Sequence, residues 1–242
     1  ITDCHLLADF NAVYNGCQPA AHLQQIVSSL AGCLPDALIL TGDLTQDHSR
    51  ASYQLLADIF AKISCPVLLL PGNHDDLSEL LWLAQTSNLQ LANSIVLANW
   101  QLFLLNSKGP SPAGSFDRSK QAALQQQFTQ SQQPFFWLFM HHHPLRLNCF
   151  IDKHGLTEQA DFWALLGSEV RVKGVAHGHA HLAYHRHYQG VEVVGCPASS
   201  VQFFKTADWQ TVNAGPQWCE WQFSATGVVS WCFQRLAGVA TA

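Results

Sequence analysis

Residues 37–75 read ALILTGDLTQDHSRASYQLLADIFAKISCPVLLLPGNHD, and this stretch alternates between strand and helix patterns. The apolar runs at residues 37–41 and 66–70 predict two buried strands, because each is short and ends at turn-forming residues. Between them, residues 49–63 predict a helix whose apolar positions recur at helical spacing: Tyr53, Leu56, Phe60 and Ile63. Strands that are apolar on both faces need helices on both sides, so the pattern predicts βαβ units.

The same alternation continues through most of the chain. Further helices are predicted at residues 18–34, 117–130 and 157–166. Further strands are predicted near residues 95–98, 102–105, 134–140, 172–176, 183–188, 191–194, 201, 218–223 and 228–233. We therefore expect an α/β fold in a single domain that spans residues 1–242. Only two residues precede the first motif, whereas a strand normally needs about five, so we expect further first-strand residues upstream.

Charge and apolar content exclude several classes of partner. The chain has 12 Lys and Arg against 17 Asp and Glu, for a net charge of −5, and no basic stripe of the kind that nucleic-acid binders use. No apolar run approaches the roughly 20 residues that a membrane span needs. We therefore expect neither long nucleic acid nor a membrane as a partner. The eight cysteines have no CxxC spacing, which favours buried thiols and a cytoplasmic location.

Histidine is unusually abundant and clustered. The chain has 13 histidines, of which His141, His142 and His143 are consecutive while His177, His179 and His181 alternate. Alternation at period two places side chains on one side of a strand end or extended loop. A lone histidine is usually structural, but two such clusters in one chain favour a metal site.

Five polar motifs follow five predicted strands. They are Asp3-Cys4-His5, Gly42-Asp43, Gly72-Asn73-His74-Asp75, His141–His143 and Gly178-His179-Ala180-His181. Each motif alone could be ordinary turn chemistry, since Gly, Asn and Asp dominate turns. Ligand sites of open α/β sheets form beyond the carboxyl ends of the strands. We therefore expect the five motifs to converge on one site.

In this order the motifs resemble those of the calcineurin-like metallophosphoesterases, and in particular the bacterial class III cyclic-nucleotide phosphodiesterase branch. The segments that carry the resemblance are ITDCHLLAD, ILTGDLTQD, LPGNHDD, HHHPL, KGVAHGHAH and GCPASSVQF, and they extend over essentially the whole chain. The resemblance implies a four-layer αββα sandwich, in which two mixed sheets pack together and helices cover them on the outside.

The resemblance also implies two metal ions and their ligands. The first ion would be held by Asp3, His5, Asp43 and His181, and the second by Asp43, Asn73, His142 and His179. Asp43 would bridge the ions, as a shared carboxylate can at the separation of two-metal sites. Mixed imidazole and oxygen ligands suit Mn, Fe, Co or Zn better than Ca or Mg. The family pattern selects His142 because it stands two residues before Pro144, but His141 is a credible alternative.

By the same resemblance, the chain is expected to be a metal-dependent phosphodiesterase with a small-molecule substrate. The best match is hydrolysis of 3′,5′-cyclic AMP to a 5′-monophosphate by a hydroxide that bridges the metals. His74 is the expected catalytic histidine, and Asp75 is the candidate partner that orients it. Glycerophosphodiesters, nucleotide anhydrides and phosphomonoesters stay open as substrates, and a non-catalytic binding module is a further alternative.

Three smaller expectations concern residues beside the motifs. His177 is either a neighbour of the metal ligands or a structural residue. Most aromatic residues are expected in the core. Phe203, Phe204 and Trp209 are the exceptions that could stack against a base, because they lie close to the family-like PASSVQF segment.

Overall fold

The computed structural model describes residues 1–236. Its α-helices are α1 Pro19–Leu30, α2 Arg50–Phe60, α3 Leu77–Thr86, α4 Arg118–Gln130 and α5 Gln159–Gly167, with a 3₁₀ helix at Phe150–His154. The strands are β1 Leu38–Thr41, β2 Val67–Leu70, β3 Leu89–Leu91, β4 Ser94–Leu97, β5 Trp100–Leu105, β6 Phe135–Met140, β7 Val172–His177, β8 Tyr184–Tyr188, β9 Val191–Gly195, β10 Gln202–Phe203, β11 Thr211–Val212, β12 Gln217–Phe223 and β13 Val229–Arg235.

The strands form two main sheets and two hairpins. The first sheet has the order β1-β2-β3 and is parallel throughout, because its connections contain helices α2 and α3. The second sheet has the order β4-β5-β6-β7-β9-β8. It is mixed: its four central strands are parallel, and its edge strands β4 and β8 run antiparallel to their neighbours. The strand pairs β10–β11 and β12–β13 are antiparallel.

Alternation along the strands explains the layers. In β2, Val67 and Leu69 belong to the apolar cluster that contains α1 and α2, whereas Leu68 belongs to the cluster between the sheets. In β6, Phe136 packs in the cluster that contains α4 and α5, while Trp137 belongs to the same cluster as Leu68 and packs against aromatic rings of the β12–β13 hairpin. Each main sheet is therefore covered by helices on one face and by the other sheet on the other. The predicted four-layer αββα fold is confirmed, but of the two sheets predicted to be mixed, only the second is mixed among the described strands.

Most predicted elements are present, with shorter ends. The helix predicted at residues 18–34 ends at Leu30, before Gly32 and Pro35. The prediction missed helix α3 and the strands β3 and β11. A signal for α3 was available, because the Asp76 side chain accepts from the backbone amides of Ser78 and Glu79 as a helix cap. The single-domain organisation over residues 1–242 stays a prediction.

The predicted burial of the cysteines is only partly correct. All eight thiols are free, and Cys4, Cys17, Cys196 and Cys219 are buried, but Cys33 and Cys232 are exposed. Cys33 lies beyond the end of α1, and Cys232 faces outward from the β12–β13 hairpin. Within residues 1–236, no helix is both long and apolar enough to cross a bilayer.

Candidate metal centre

The five motifs lie at the carboxyl ends of neighbouring strands, as predicted. The segment before Asp3 pairs alongside β1, since the Thr41 amide donates to the Ile1 carbonyl at 3.0 Å. Asp43 follows β1, Asn73 follows β2, the histidine run follows β6, and His179 follows β7. Three groups of buried side chains have ligand atoms within 4.8 Å of one another: Asp3/His5/His181, Asp3/Asp43/His141 and His141/His142/His179. The convergence predicted from the strand ends is therefore present.

Five of the predicted ligands have left-handed backbone conformations. The φ angles are +52° for Asp3, +48° for His5, +50° for Asp43, +65° for His179 and +49° for His181. Residues other than glycine rarely adopt this region, and such conformations concentrate at functional sites. They turn consecutive side chains of a short loop toward one centre. The close approach of Gly72 to Asp43 and of Gly178 to Asp3 leaves no room for a Cβ at either glycine.

His5 and His181 face each other across the first group. Their Nε2 atoms are 3.2 Å apart, and the Nε2 of His181 is 3.3 Å from the Asp3 carboxylate. His5 Nδ1 donates to the side-chain oxygen of Gln46 at 2.8 Å, and His181 Nδ1 donates to the Val201 carbonyl at 2.6 Å. Because these oxygens are acceptors, each ring must carry its proton on Nδ1. Both Nε2 lone pairs are then available to a metal ion.

His141 has the same arrangement on the other side of Asp43. Its Nδ1 donates to the Thr41 carbonyl at 2.8 Å, and its Nε2 lies 3.1 Å from Asn73 Oδ1 and 3.3 Å from Asp43 Oδ2. His179 lies beside it, and the Nε2 of His179 is buried without a hydrogen-bond partner in the described part of the chain. An unpaired buried imidazole nitrogen is costly, and a metal ion would satisfy it.

His142, the predicted ligand, has both ring nitrogens engaged. Its Nε2 donates to the Pro112 carbonyl at 3.2 Å, so its Nδ1 accepts from the Ser107 hydroxyl at 2.8 Å. The Ser107 oxygen in turn accepts from the backbone amide of His142 at 3.1 Å. The ligand atoms of His142 do lie within reach of those of His141 and His179. The contacts nevertheless favour His141, the alternative, as the ligand beside Asn73 and Asp43.

Burial and neighbouring charges shift the pKa values of the centre in opposite directions: the pKa of His5 falls, whereas that of His141 rises beside the Asp43 carboxylate. Burial lowers the pKa of His5 to about 4. Burial alone would raise the pKa of Asp43, but the adjacent His141 and His5 hold it well below the usual value. Burial opposes protonation of His141 too, yet the Asp43 charge raises the pKa of His141 to about 9. A proton and a metal ion would compete for that nitrogen, since metal binding requires neutral imidazole.

His74 and Asp75 do not form the predicted pair. The Asp75 carboxylate accepts from the backbone amides of Gly72 and Leu44, at 2.8 and 3.0 Å, and from the Tyr53 hydroxyl at 3.2 Å. Burial and the neighbouring Asp43 raise the pKa of Asp75 to about 7. Within residues 1–236, no hydrogen bond joins Asp75 to the His74 ring. The turn points Asp75 inward to hold the ligand loops together, so these contacts favour a structural role.

His74 itself is half-buried. Its ring lies edge-on to His5, with centroids 5.2 Å apart, and parallel to His48, with centroids 6.0 Å apart. Its backbone amide donates to Asp43 at 2.8 Å. His74 is thus attached to the centre through its backbone, while its ring lies beside the first group of ligands.

The remaining predicted residues have varied positions. His177 is buried behind the ligands, where its Nδ1 donates to the Gly178 carbonyl at 2.7 Å and its Nε2 meets the Tyr184 hydroxyl. Phe203 stacks on the ring of His181, with centroids 3.9 Å apart and planes 4° from parallel. Phe204 and Trp209 are exposed at the β10–β11 hairpin. Phe203 therefore packs against a predicted ligand, whereas the contacts of His177 favour a structural role.

Several supporting residues were missed by the sequence analysis. Gln46 and Ser107 orient histidine rings, and Tyr14 stacks on His5 with centroids 4.9 Å apart. Gln46 could have been found, because it stands inside the quoted ILTGDLTQD segment. Ser107 and Tyr14 lie in loops without a motif, and only the fold brings them to the centre.

These observations test whether the residues suit metal ions. Carboxylate, amide and imidazole donors from five separate loops converge, and the orphaned Nε2 of His179 lies among them. This mixture of nitrogen and oxygen donors matches transition-metal preferences. The donor set therefore fits two adjacent metal ions.

Comparison with known proteins agrees with this chemistry. Residues 1–183 match the family model described as calcineurin-like phosphoesterase. A protein of Pseudoalteromonas sp. (strain SM9913), named "Probable cyclic nucleotide phosphodiesterase", is 39% identical over 218 residues, which cover 89% of this chain and 83% of that protein. The "3′,5′-cyclic adenosine monophosphate phosphodiesterase CpdA" of Vibrio vulnificus (strain CMCP6) is 31% identical, over 98% of this chain and 89% of its own length.

Solved structures share the fold at low identity. A dimetal phosphatase from Danio rerio superposes with a TM-score of 0.64 at 16% identity, covering 81% of this chain and 85% of that one. A structure described as "GAP50 the anchor in the inner membrane complex of Plasmodium" has a TM-score of 0.67 at 11% identity, with 99% and 87% covered. At such identities the likeness concerns the fold alone.

Proposed function

This chain belongs to the calcineurin-like phosphoesterase family, and on that premise we propose that it holds two metal ions and hydrolyses 3′,5′-cyclic AMP, or a related small phosphodiester, to a 5′-monophosphate. It is a phosphodiester hydrolase of that family. The dinuclear centre and the choice of substrate are the parts that we propose.

The orientation of three imidazoles carries the proposal. His5, His141 and His181 each donate from Nδ1 to a fixed oxygen and turn Nε2 toward the Asp3 or Asp43 carboxylate. Hydrogen-bonded Nδ1 atoms of this kind are typical of metal-ligating histidines, because they fix the tautomer and orient the ring. Histidines that only fill a core need no such shared direction.

The contacts support a specific distribution of ligands. One ion would be held by Asp3, His5, Asp43 and His181. The other would be held by Asp43, Asn73, His141 and His179, with His141 in place of His142. Asp43 lies between the groups, since its Oδ2 is 3.8 Å from His5 Nε2 and 3.3 Å from His141 Nε2. It is therefore the residue that could serve both ions.

Two bound divalent ions would lower the pKa of an attacking water and neutralise charge that develops on the phosphate. The protein supplies the remaining groups. His74 lies at the edge of the first ligand group and is placed to donate a proton to the leaving 3′-oxygen of ribose. Tyr14 and Phe203 cover the outer faces of His5 and His181 and keep those rings in position.

A diester substrate agrees with the charges around the centre. Arg146 is the arginine nearest a motif in the sequence, but its side chain is 77% exposed and lies 3.8 Å from Asp152. Among the described residues, no arginine bonds to a ligand side chain. A phosphodiester carries one negative charge and a monoester nearly two, so a centre without arginine suits the diester. The relatives from Pseudoalteromonas and Vibrio carry names with the same substrate class.

A hydrolysis panel on metal-reconstituted protein tests the proposal. The panel contains cyclic AMP, cyclic GMP, 2′,3′-cyclic nucleotides, a glycerophosphodiester, bis(p-nitrophenyl) phosphate and p-nitrophenyl phosphate. We expect cyclic AMP to yield 5′-AMP, and bis(p-nitrophenyl) phosphate to exceed the monoester in kcat/KM. The Asp43→Ala variant should lose activity and lower metal content at both positions. Faster monoester turnover across Mn, Fe, Co and Zn would refute the diester assignment.

A further inference from the structure

Lys108 connects a surface loop to the ligand loop. The loop at residues 106–116 is the Gly-, Pro- and Ser-rich segment between β5 and α4. From this loop the Lys108 ammonium reaches across and donates to the backbone carbonyl of Asn73 at 2.6 Å. The contact is partly buried, and within residues 1–236 no carboxylate lies within ion-pair distance of the ammonium.

The peptide that joins Asn73 to His74 is consequently held at both ends. Its carbonyl accepts from Lys108, and its amide donates to Asp43 Oδ1 at 2.8 Å. The orientation of one peptide plane determines the directions in which the side chains on either side of it leave the backbone. Here those side chains are Asn73, whose Oδ1 lies 3.1 Å from His141 Nε2, and His74.

Lys108 is itself fixed by its neighbours. Its backbone amide donates to the Asn106 side chain at 3.0 Å, and its carbonyl accepts from the Lys120 ammonium at 2.7 Å. Lys120, on α4, also donates to the Ser115 carbonyl at 3.1 Å. An exposed lysine normally keeps its side-chain freedom. The backbone of Lys108 is held by Asn106 and Lys120, and its ammonium is bonded to the Asn73 carbonyl. Lys108 therefore connects α4 to the ligand loop.

We propose that Lys108 is a positioning residue, whose ammonium fixes the Asn73–His74 peptide and thereby sets the affinity of the metal position that Asn73 serves. The inference rests on the proposed dinuclear centre. Without the ammonium, the Asn73 carbonyl loses its donor and the peptide can rotate about its flanking bonds. Asn73 Oδ1 would then leave its place beside His141 for part of the time.

The first test is a Mn²⁺ titration of the full chain, followed by calorimetry. Lys108→Met should weaken one of the two metal equivalents by about 10-fold or more, the usual effect of removing a group that orients a ligand. The other equivalent should stay within about twofold, and Lys108→Arg should restore much of the loss. Lys173→Met is the matched control, because Lys173 also donates to a backbone carbonyl, that of Val170, but it lies near the start of β7, at the opposite end of the strand from His179.

The second test needs neither metal nor substrate. Amide hydrogen exchange of the chelator-treated chain should be faster at residues 72–75 in Lys108→Met than in wild type or Lys173→Met, since local opening controls exchange. Unchanged exchange together with an unchanged titration would overturn the inference. Equal weakening of both metal equivalents, or faster exchange throughout the chain, would also overturn it, because either result means general destabilisation.

These readouts separate the inference from the proposed function. If wild type fails to cleave cyclic AMP but Lys108→Met loses one metal equivalent selectively, only the substrate assignment fails. If wild type binds a single ion, the dinuclear proposal fails, and the exchange at residues 72–75 alone decides whether Lys108 holds the peptide.

Discussion

The Nε2 atoms of His5 and His181 lie 3.2 Å apart, and each ring donates from Nδ1 to an oxygen of the protein. The Nε2 lone pairs of these two buried rings therefore face each other, close to the Asp3 and Asp43 carboxylates. Such an arrangement is unfavourable by itself and becomes favourable when a cation lies between the donors. Metal binding should consequently contribute to the stability of the fold.

Metal removal is predicted to lower the melting temperature. A ligand present at 100 times its Kd stabilises the native state by about 2.7 kcal/mol, which corresponds to roughly 5–10 °C for a chain of this size. Calorimetry or circular dichroism before and after chelation measures the shift, and added Mn²⁺ should reverse it. His5→Ala should reduce the shift, whereas His187→Ala, at an exposed histidine outside the centre, should keep it. A melting temperature that chelator and Mn²⁺ both leave unchanged would contradict the prediction.

The identity of the ligand after β6 leads to a second prediction. His141→Ala should remove one metal equivalent, because the Nε2 of His141 is directed at Asn73 and Asp43. His142→Ala should keep both equivalents, but it should lower stability by about 1–3 kcal/mol through loss of the buried contacts to Ser107 and Pro112. Elemental analysis and chemical denaturation of both variants measure these effects. The reverse pattern of metal loss would show that His142 is the ligand after all.

This choice illustrates where sequence reasoning stopped. The periodicity of residues 37–75 and the position of each motif after a strand were sufficient for the layers and for the convergence of the loops. They were not sufficient to decide between His141 and His142. The two histidines are adjacent, and they differ in the hydrogen-bond partners that the fold brings to their ring nitrogens. Those partners, the Thr41 carbonyl and the Ser107 hydroxyl, lie 100 and 35 residues away.

The sequence also could not predict the direction in which the Asp75 side chain leaves the Gly72–Asp75 turn. Adjacency to His74 suggested that Asp75 orients its ring. The structure turns Asp75 inward instead, toward the Leu44 amide and the Tyr53 hydroxyl. A motif fixes which side chains are close to a site, but the backbone angles of a short turn decide which of them face it.

Asp75 leads to a third prediction, on stability. Asp75→Ala leaves two buried amides and a buried hydroxyl without their acceptor, at about 1–3 kcal/mol each when no water replaces it. We expect a loss of about 3–5 kcal/mol in the free energy of unfolding, near the upper end for single substitutions. Tyr53→Phe should lose about 1–2 kcal/mol, because one hydroxyl is removed from the same network. Urea denaturation measures both.

The control for this network is Asp58→Ala, which removes an exposed carboxylate on α2 whose one side-chain partner within residues 1–236 is Gln54. Its effect should stay within about 0.5 kcal/mol. If Asp75→Ala were as stable as Asp58→Ala yet inactive on cyclic AMP, Asp75 would have the catalytic role first predicted for it, and the structural role would be wrong.

The last prediction separates leaving-group assistance by His74 from metal binding. The His74 ring lies beside His5 and below His48, and within residues 1–236 no hydrogen bond holds it, so it is free to meet a substrate. The 3′-oxygen of ribose is a poor leaving group that needs a proton, whereas p-nitrophenolate scarcely does. Proton donation of this kind is typically worth about 10²–10⁴-fold. His74→Ala should therefore lose about that factor in kcat on cyclic AMP and much less on bis(p-nitrophenyl) phosphate, with both metal equivalents kept.

His48→Ala, which removes only the stacked ring above, should change both rates to a similar and smaller extent. Equal losses on the two substrates in His74→Ala would eliminate the leaving-group role and leave phosphate binding, and loss of a metal equivalent would make His74 a ligand.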